Sequence, residues 1–210
     1  MKIRYANTRG LYKTDWIESR RTFSNNMYWD PKYMNWGNIK VINDDILQPN
    51  KMVPKHEHKN YDILGYLVEG ELEHWDTLGN IRRAKPGQIQ HMWCGSSIWH
   101  TEKCVSETPA RYLQIWITPT QKNTTPYYEI YEKGPGFEQL NIDIKQKIKI
   151  FGGELQESRN ILLNKEAYFY VVKGTAIGKD FSLSEGDGAE LDPGLFSADF
   201  NGHFLLFENI

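Results

Sequence analysis

Apolar and polar residues alternate over short stretches of this chain, and turn-forming residues separate the stretches. In the first part of the chain, this pattern predicts β-strands at 40–47, 63–75, 88–93 and 112–118. Towards the end of the chain, it predicts further strands at 147–151, 160–163, 168–172 and 203–207. Helical periodicity is scarce. Because 13% of the residues are aromatic, which favours pleated and half-buried surfaces, we predict an all-β protein.

Turn residues and a change in composition divide the chain. Residues 76–80, Asp-Thr-Leu-Gly-Asn, are expected to close a hairpin, and Pro86-Gly87 marks a second turn. The segment 120–137 is rich in Pro, Thr, Gln, Lys and Gly, and we interpret it as a connector. The sequence therefore predicts an N-terminal β domain at 1–119 and a C-terminal β domain at 138–210.

A short sequence pattern recurs in the two halves. Residues 66–71 read Tyr-Leu-Val-Glu-Gly-Glu, and residues 170–175 read Tyr-Val-Val-Lys-Gly-Thr. A glycine-centred turn follows each segment, at Pro86-Gly87 and at Glu185-Gly186. Duplication of a β module and chance similarity between two β-rich segments both account for this pattern.

Charge and the N-terminal composition narrow the classes of partner. The formal net charge is -2, and no block of Lys and Arg is long enough to follow a phosphate backbone, so direct nucleic-acid binding is disfavoured. The first residues include basic side chains but no apolar stretch, so we expect a cytoplasmic protein without a membrane span. Cys94 and Cys104 lack a CxxC spacing and are interpreted as reduced structural thiols.

Two pairs of residues are candidates for metal binding. His56 and His58 are separated by one residue, so their side chains share a face if the segment is a strand. His100 and Glu102 repeat this spacing and offer a nitrogen and a carboxylate, which suit several first-row metals. The hairpin and turn between the pairs allow the second pair to fold back onto the first. On spacing alone, a metal site and a chance pairing on strand faces are about equally supported.

The other histidines are interpreted as structural. His74 is expected to make a turn or cross-strand contact, and His203 is expected to begin a strand. His91 would share a strand face with Ile89 and Trp93, and the pattern leaves open whether that face lines a pocket.

Ordered motifs across residues 21–119 resemble those of the pirin family of cupins. They are Arg21-Thr22-Phe23-Ser24, Asp30-Pro31, residues 41–45, His56-Glu57-His58, residues 67–74, residues 76–80, Pro86-Gly87, His100-Thr101-Glu102 and residues 113–117. The resemblance implies two cupin domains, which are jelly-roll β-barrels, in one chain. The C-terminal half resembles the family more weakly and contains no HxH motif, so we expect it to bind no metal.

The resemblance also implies the ligands of one divalent metal ion in the N-terminal domain. These are His56, His58, His100 and Glu102. Iron(II) is the first candidate, and zinc, nickel, manganese and copper are alternatives that imidazole and carboxylate ligands also accept. The chain departs from the family pattern at Glu57, where relatives usually carry proline, and at Trp93-Cys94, where relatives usually carry small residues. With Trp99 beside the third histidine, we expect a bulkier and more aromatic pocket.

Two classes of function follow from the resemblance. Some pirins resemble quercetin 2,3-dioxygenases, which predicts a metal-dependent dioxygenase acting on a planar, flavonol-like small molecule. Glu102 would then be the catalytic base. Other pirins resemble iron-dependent co-regulators, which predicts a redox-sensing module that binds a protein partner. A structural bicupin without chemistry is the third hypothesis.

Overall fold

The computed structural model of the protein describes residues 1–142, 144 and 146–210. This part of the chain consists of β-strands, turns and one 3-10 turn at Ala6–Thr8, so the all-β prediction is confirmed. Within it, no helix is both long enough and apolar enough to span a membrane.

The strands are numbered in chain order. The first twelve are β1 (Lys2–Arg4), β2 (Gly10–Lys13), β3 (Ile17–Arg21), β4 (Ile39–Leu47), β5 (Met52–His58), β6 (Asp62–Glu69), β7 (Leu72–Asp76), β8 (Ile81–Ala84), β9 (Gln88–Trp93), β10 (Ile98–Cys104), β11 (Ala110–Ile117) and β12 (Tyr127–Glu132). The others are β13 (Glu138–Gln139), β14 (Ile148–Leu163), β15 (Ala167–Ile177), β16 (Ser182–Ser184), β17 (Gly188–Leu191) and β18 (Gly194–Asn209).

The chain forms two compact units. The N-terminal unit contains residues 10–132, 144 and 146, and the C-terminal unit contains residues 1–9, 133–142 and 147–210. The bounds of these units differ from those of the predicted domains, as two strands show. The strand β1 pairs with β17, so the first residues belong to the C-terminal unit. The strand β12 pairs with β9, so part of the predicted connector is a strand of the N-terminal unit.

The N-terminal unit consists of two sheets. One has seven strands in the order β12-β9-β6-β11-β4-β3-β2, and the other has four in the order β5-β10-β7-β8. The predicted hairpin after Asp76 is confirmed, because Trp75 pairs with Ile81 across it. The core of the N-terminal unit includes the buried side chains of Leu47 and Leu72. Both cysteines are buried free thiols in this unit.

The C-terminal unit is one seven-stranded sheet built on two long strands. The strands β14 and β18 each have 16 residues and pair along their whole length, so the short strands predicted for this region are parts of longer ones. Gly202 has a φ of 150° and lies so close to β15 that a Cβ atom there would be 2.0 Å from the carbonyl oxygen of Lys173. Phe169, Phe200 and Phe204 fill the core.

The repeated sequence pattern adopts the same geometry in both units. In the N-terminal unit, Tyr66 pairs with Ile89, two residues after the turn glycine Gly87. In the C-terminal unit, Tyr170 pairs with Gly188, which also lies two residues after a turn glycine, at position 186. This shared register favours duplication of a β module over chance similarity.

Candidate metal centre

Three histidines converge inside the N-terminal unit. The strands β5 and β10 are antiparallel, and they place His100 opposite His56, while His58 follows on the same face of β5. The Nε2 atom of His56 lies 2.9 Å from that of His58 and 3.0 Å from that of His100. Ligand nitrogens of all three lie within 4.8 Å of one another. The predicted convergence of the two segments is therefore confirmed for the histidines.

The hydrogen bond of the His56 ring selects a tautomer that suits a metal ligand. Its Nδ1–H donates a hydrogen bond of 2.8 Å to the carbonyl oxygen of Pro54, so in the neutral ring the lone pair lies on Nε2. Ligands about 2.1 Å from an ion and at right angles to one another are about 3.0 Å apart. The two nitrogen–nitrogen distances at His56 have this value, so His56 has the spacing of a ligand beside His58 and beside His100 on one divalent ion.

Burial keeps the other two imidazoles neutral. It lowers the pKa of His58 to about 3, with a further contribution from neighbouring His56. It also lowers the pKa of His100 far below its ordinary value, and the nearby histidines act in the same direction. The Nδ1 atom of His100 is buried and has no hydrogen-bond partner among the described residues. Neutral imidazole is the form that binds metal, so little proton competition opposes binding near neutral pH.

Glu102 lies two residues after His100 on β10 and is buried. It lies outside the three-histidine group, and its Oε2 atom accepts hydrogen bonds from the Tyr112 hydroxyl at 3.4 Å and from the Gln114 amide at 3.3 Å. Burial, and then repulsion from the carboxylate of Asp45, raise the pKa of Glu102 to about 7. Its roles as a metal ligand and as a catalytic base stay predictions.

His74 contacts the candidate centre from the neighbouring strand β7. Its Nε2–H donates a 2.8 Å hydrogen bond to Asp76, and its ring stacks on Tyr128 with centroids 3.9 Å apart. Its centroid is 5.3 Å from that of His100. Sequence reasoning assigned His74 only a turn or cross-strand contact. The HxD spacing at 74–76 repeats the period of the two candidate metal-binding pairs, and this spacing is the sequence signal that points to His74.

The other two histidines lie away from the three-histidine group. His91 is fully buried and paired with Asp62, with its Nδ1 atom 3.4 Å from the hydroxyl of Tyr127. His203 lies inside β18, which begins at Gly194, rather than at the start of a strand.

A cavity of about 570 Å³ opens beside the histidines. His56, His58, Tyr61, Gln114 and Trp116 are among the residues that line it. The aromatic residues that line the cavity differ from those that the sequence led us to expect. Trp93 is absent from the lining and stacks on Tyr127, while Trp99 is 41% exposed, so neither enlarges the aromatic surface of this cavity.

Comparisons with known proteins identify the family. The family model described as Pirin matches residues 3–117. The quercetin 2,3-dioxygenase of Escherichia coli strain K12 is 32% identical over 98% of this chain and 97% of the relative.

Solved structures agree with this match. The Escherichia coli structure described as bacterial pirin YhhW in complex with nickel(II) is 29% identical, covers 99% of this chain and 97% of that chain, and has a TM-score of 0.92. The structure of GK1651 from Geobacillus kaustophilus, with 15% identity and a TM-score of 0.76, shares the fold. The predicted fold of two cupin domains in one all-β chain is confirmed by these likenesses. The chain belongs to the pirin family.

Proposed function

We propose that this protein is a metal-dependent dioxygenase that acts on a planar, flavonol-like small molecule. The observation that carries the proposal is the convergence of three imidazole Nε2 atoms, of which those of His56 and His58 belong to residues that line the 570 Å³ cavity. A cavity of this size suits a ligand of drug-like dimensions. The relatives named for quercetin 2,3-dioxygenase supply the reaction class.

The proposed ligand set is His56, His58, His100 and Glu102. Iron(II) is our first candidate on the family resemblance, and the nickel(II) complex of the Escherichia coli relative supports a divalent ion. Nickel, zinc, manganese and copper are alternatives. A bound ion would lower the pKa of a substrate hydroxyl and would offer a coordination position for dioxygen.

The chain itself supplies proton transfer and orientation. Without an ion, burial raises the pKa of Glu102 to about 7, so a Glu102 carboxylate that leaves the ion would accept the substrate hydroxyl proton near neutral pH. Trp116 and Tyr61 line the cavity with their rings 5.2 Å apart, and they offer aromatic surface to a planar substrate. His56, His58 and His100 hold the ion and take no part in proton transfer.

Quercetin consumption under oxygen tests the proposal. The iron-loaded parent is expected to consume quercetin, and Glu102→Gln is expected to lower kcat by about 10²- to 10⁴-fold, because it removes the base. Glu57→Gln is the matched control. Glu57 is an exposed carboxylate at the cavity and accepts no proton in this scheme, so the activity of Glu57→Gln should equal that of the parent. A metal-loaded parent that leaves quercetin and related flavonols unchanged would contradict the proposal.

The second class of function remains a prediction of the resemblance. It is an iron-dependent, redox-sensing co-regulator that binds a protein partner, and the cytoplasmic location is likewise a prediction. The quercetin assay separates the two classes, since a co-regulator needs the metal but no turnover.

A further inference from the structure

Two side chains that line the cavity, Trp116 and Gln114, connect it to Glu102 by hydrogen bonds. The indole Nε1–H of Trp116 donates a 2.9 Å hydrogen bond to the Oε1 atom of Gln114. The Nε2–H of Gln114 donates a 3.3 Å hydrogen bond to the Oε2 atom of Glu102. Gln114 and Trp116 are two residues apart on β11, so both side chains lie on the same face of the sheet.

The donor and acceptor types fix the orientation of the Gln114 amide. An indole N–H only donates, so it requires the amide oxygen of Gln114. A carboxylate only accepts, so Glu102 requires the amide NH2 group. A rotated amide would place donor against donor at Trp116 and acceptor against acceptor at Glu102, and both hydrogen bonds would be lost. The Trp116 N–H therefore determines which end of Gln114 faces Glu102.

Tyr112 and Gln114 limit the freedom of the Glu102 carboxylate. The Tyr112 hydroxyl and the Gln114 amide both donate to Oε2, and the other oxygen, Oε1, takes part in neither of these bonds. Trp116 also contacts the candidate ligand His58 edge to face, with ring centroids 4.7 Å apart. One indole thus contacts His58 directly and reaches Glu102 through Gln114.

We propose that Gln114 and Trp116 are positioning residues of the metal centre. They hold Glu102 by its Oε2 atom, which would leave Oε1 available as a ligand of an ion held by the histidines. This inference rests on the proposed function, because it takes Glu102 as a ligand. Residues that orient ligands in this way typically change metal affinity by 10- to 100-fold when they are replaced.

Nickel(II) affinity of the full chain, measured by competition with a chromophoric chelator, tests the inference. Trp116→Phe keeps an aromatic ring against His58 and removes the N–H, and Gln114→Leu removes the amide. Each is expected to weaken nickel binding by about 10-fold. The double variant should bind no more weakly than Gln114→Leu alone, because Trp116 acts through Gln114. In a Glu102→Ala background, neither substitution should weaken binding further.

Trp93→Phe is the matched control. Trp93 also donates an indole hydrogen bond, to Thr124, in the same unit, but it lies outside the cavity lining. Its nickel affinity should equal that of the parent. The visible spectrum of the cobalt(II)-loaded protein gives a second readout, since loss of a carboxylate ligand changes the cobalt bands in Trp116→Phe and not in Trp93→Phe.

Additive losses in the double variant, or unchanged nickel affinity and cobalt bands in both single variants, would overturn the inference and leave the metal centre standing. A folded parent that binds neither nickel nor cobalt would overturn the metal centre itself. The two failures are therefore distinguishable.

Discussion

The N-terminal unit places polar side chains at interior positions where the C-terminal unit places apolar ones, although both units pair their strands in the same register. In the N-terminal unit, Leu72 lies two residues after Gly70 and pairs with Cys104. Four residues before Cys104 on the same strand is His100, which lies opposite His56.

The C-terminal unit repeats these steps with different residues. Ala176 lies two residues after Gly174 and pairs with Phe200. Four residues before Phe200 is Phe196, which lies opposite Ile161. The positions of His100 and His56 therefore correspond to Phe196 and Ile161.

The same alignment covers all four candidate ligands. The positions of His56, His58, His100 and Glu102 correspond to Ile161, Leu163, Phe196 and Ala198. All four of these side chains belong to the apolar core of the C-terminal unit or pack against it, and hydrocarbon side chains offer no ligand atom. One backbone arrangement thus supports a stable apolar core in one unit and a polar interior in the other, where burial of imidazoles is tolerated because a bound ion can compensate.

The largest expected effect on stability comes from a substitution in the apolar core of the C-terminal unit, which leaves the residues of the candidate metal centre unchanged. Phe169 is fully buried and packs against Phe196 and Phe204, with centroids 5.0 and 5.4 Å away. Phe169→Ala should lower the free energy of unfolding by about 3–5 kcal/mol, because it leaves a cavity. Chemical denaturation measures this loss. The folded variant should retain the metal content of the parent, and a parallel loss of metal would contradict the separation of roles between the units.

An effect of similar total size, spread over several pH units, concerns the pH dependence of the metal-free protein. In the folded chain the pKa of His58 is about 3, whereas the unfolded chain binds this proton near pH 6.5. The unfolded state therefore gains protons first as the pH falls, and this group removes roughly 1.4 kcal/mol of stability per pH unit between pH 6.5 and 3. His58→Leu, the residue type found at the corresponding position 163, should show a shallower fall.

Denaturation of the chelator-treated parent and of His58→Leu over this pH range measures the difference. Glu102, whose pKa is raised, contributes with the opposite sign between about pH 4.5 and 7 and is present in both proteins, so it cancels in the comparison. Equal slopes for the two proteins would show that His58 is not buried in its neutral form.

The smallest effect compares the two turn glycines. Gly87 has a φ of 90° and open space around the position of a Cβ atom, so Gly87→Ala should cost about 1 kcal/mol from backbone strain alone. At Gly186, a Cβ atom would lie 2.6 Å from the Arg9 side chain and 2.9 Å from the Cβ atom of Ala6. Gly186→Ala should therefore destabilise the protein more than Gly87→Ala. Thermal unfolding of both variants measures which substitution costs more stability. A larger loss for Gly87→Ala would contradict the close packing of Ala6 and Arg9 at Gly186.

Much of the N-terminal unit is predictable from sequence because its strands are short and turn residues separate them. The strand β9 has the predicted limits, and the two HxH-type spacings identify the histidines that converge. The long strands β14 and β18 were predicted only in fragments. In β14, residues 156–160 are all exposed and lack an alternation. In β18, residues 195–201 do alternate between exposed and buried positions, so this part of the strand carried a signal that the prediction missed.

The environment of the candidate site was less accessible to sequence reasoning. The hydrogen bond between His74 and Asp76 follows a visible spacing, but the stacking of His74 on Tyr128 joins residues far apart in the chain. The positions of Trp93 and Trp99 outside the cavity depend on strand register and on the path of β12, which residue types alone do not determine.

Metal content tests the central claim most directly. Protein purified without a metal-affinity column is loaded anaerobically with iron and measured by mass spectrometry, in parallel with a His56→Ala, His58→Ala double variant. The account predicts about one ion per parent chain and none in the variant, because the corresponding C-terminal positions are apolar. Retention of the ion by the variant, or a folded parent that binds no ion, would contradict it.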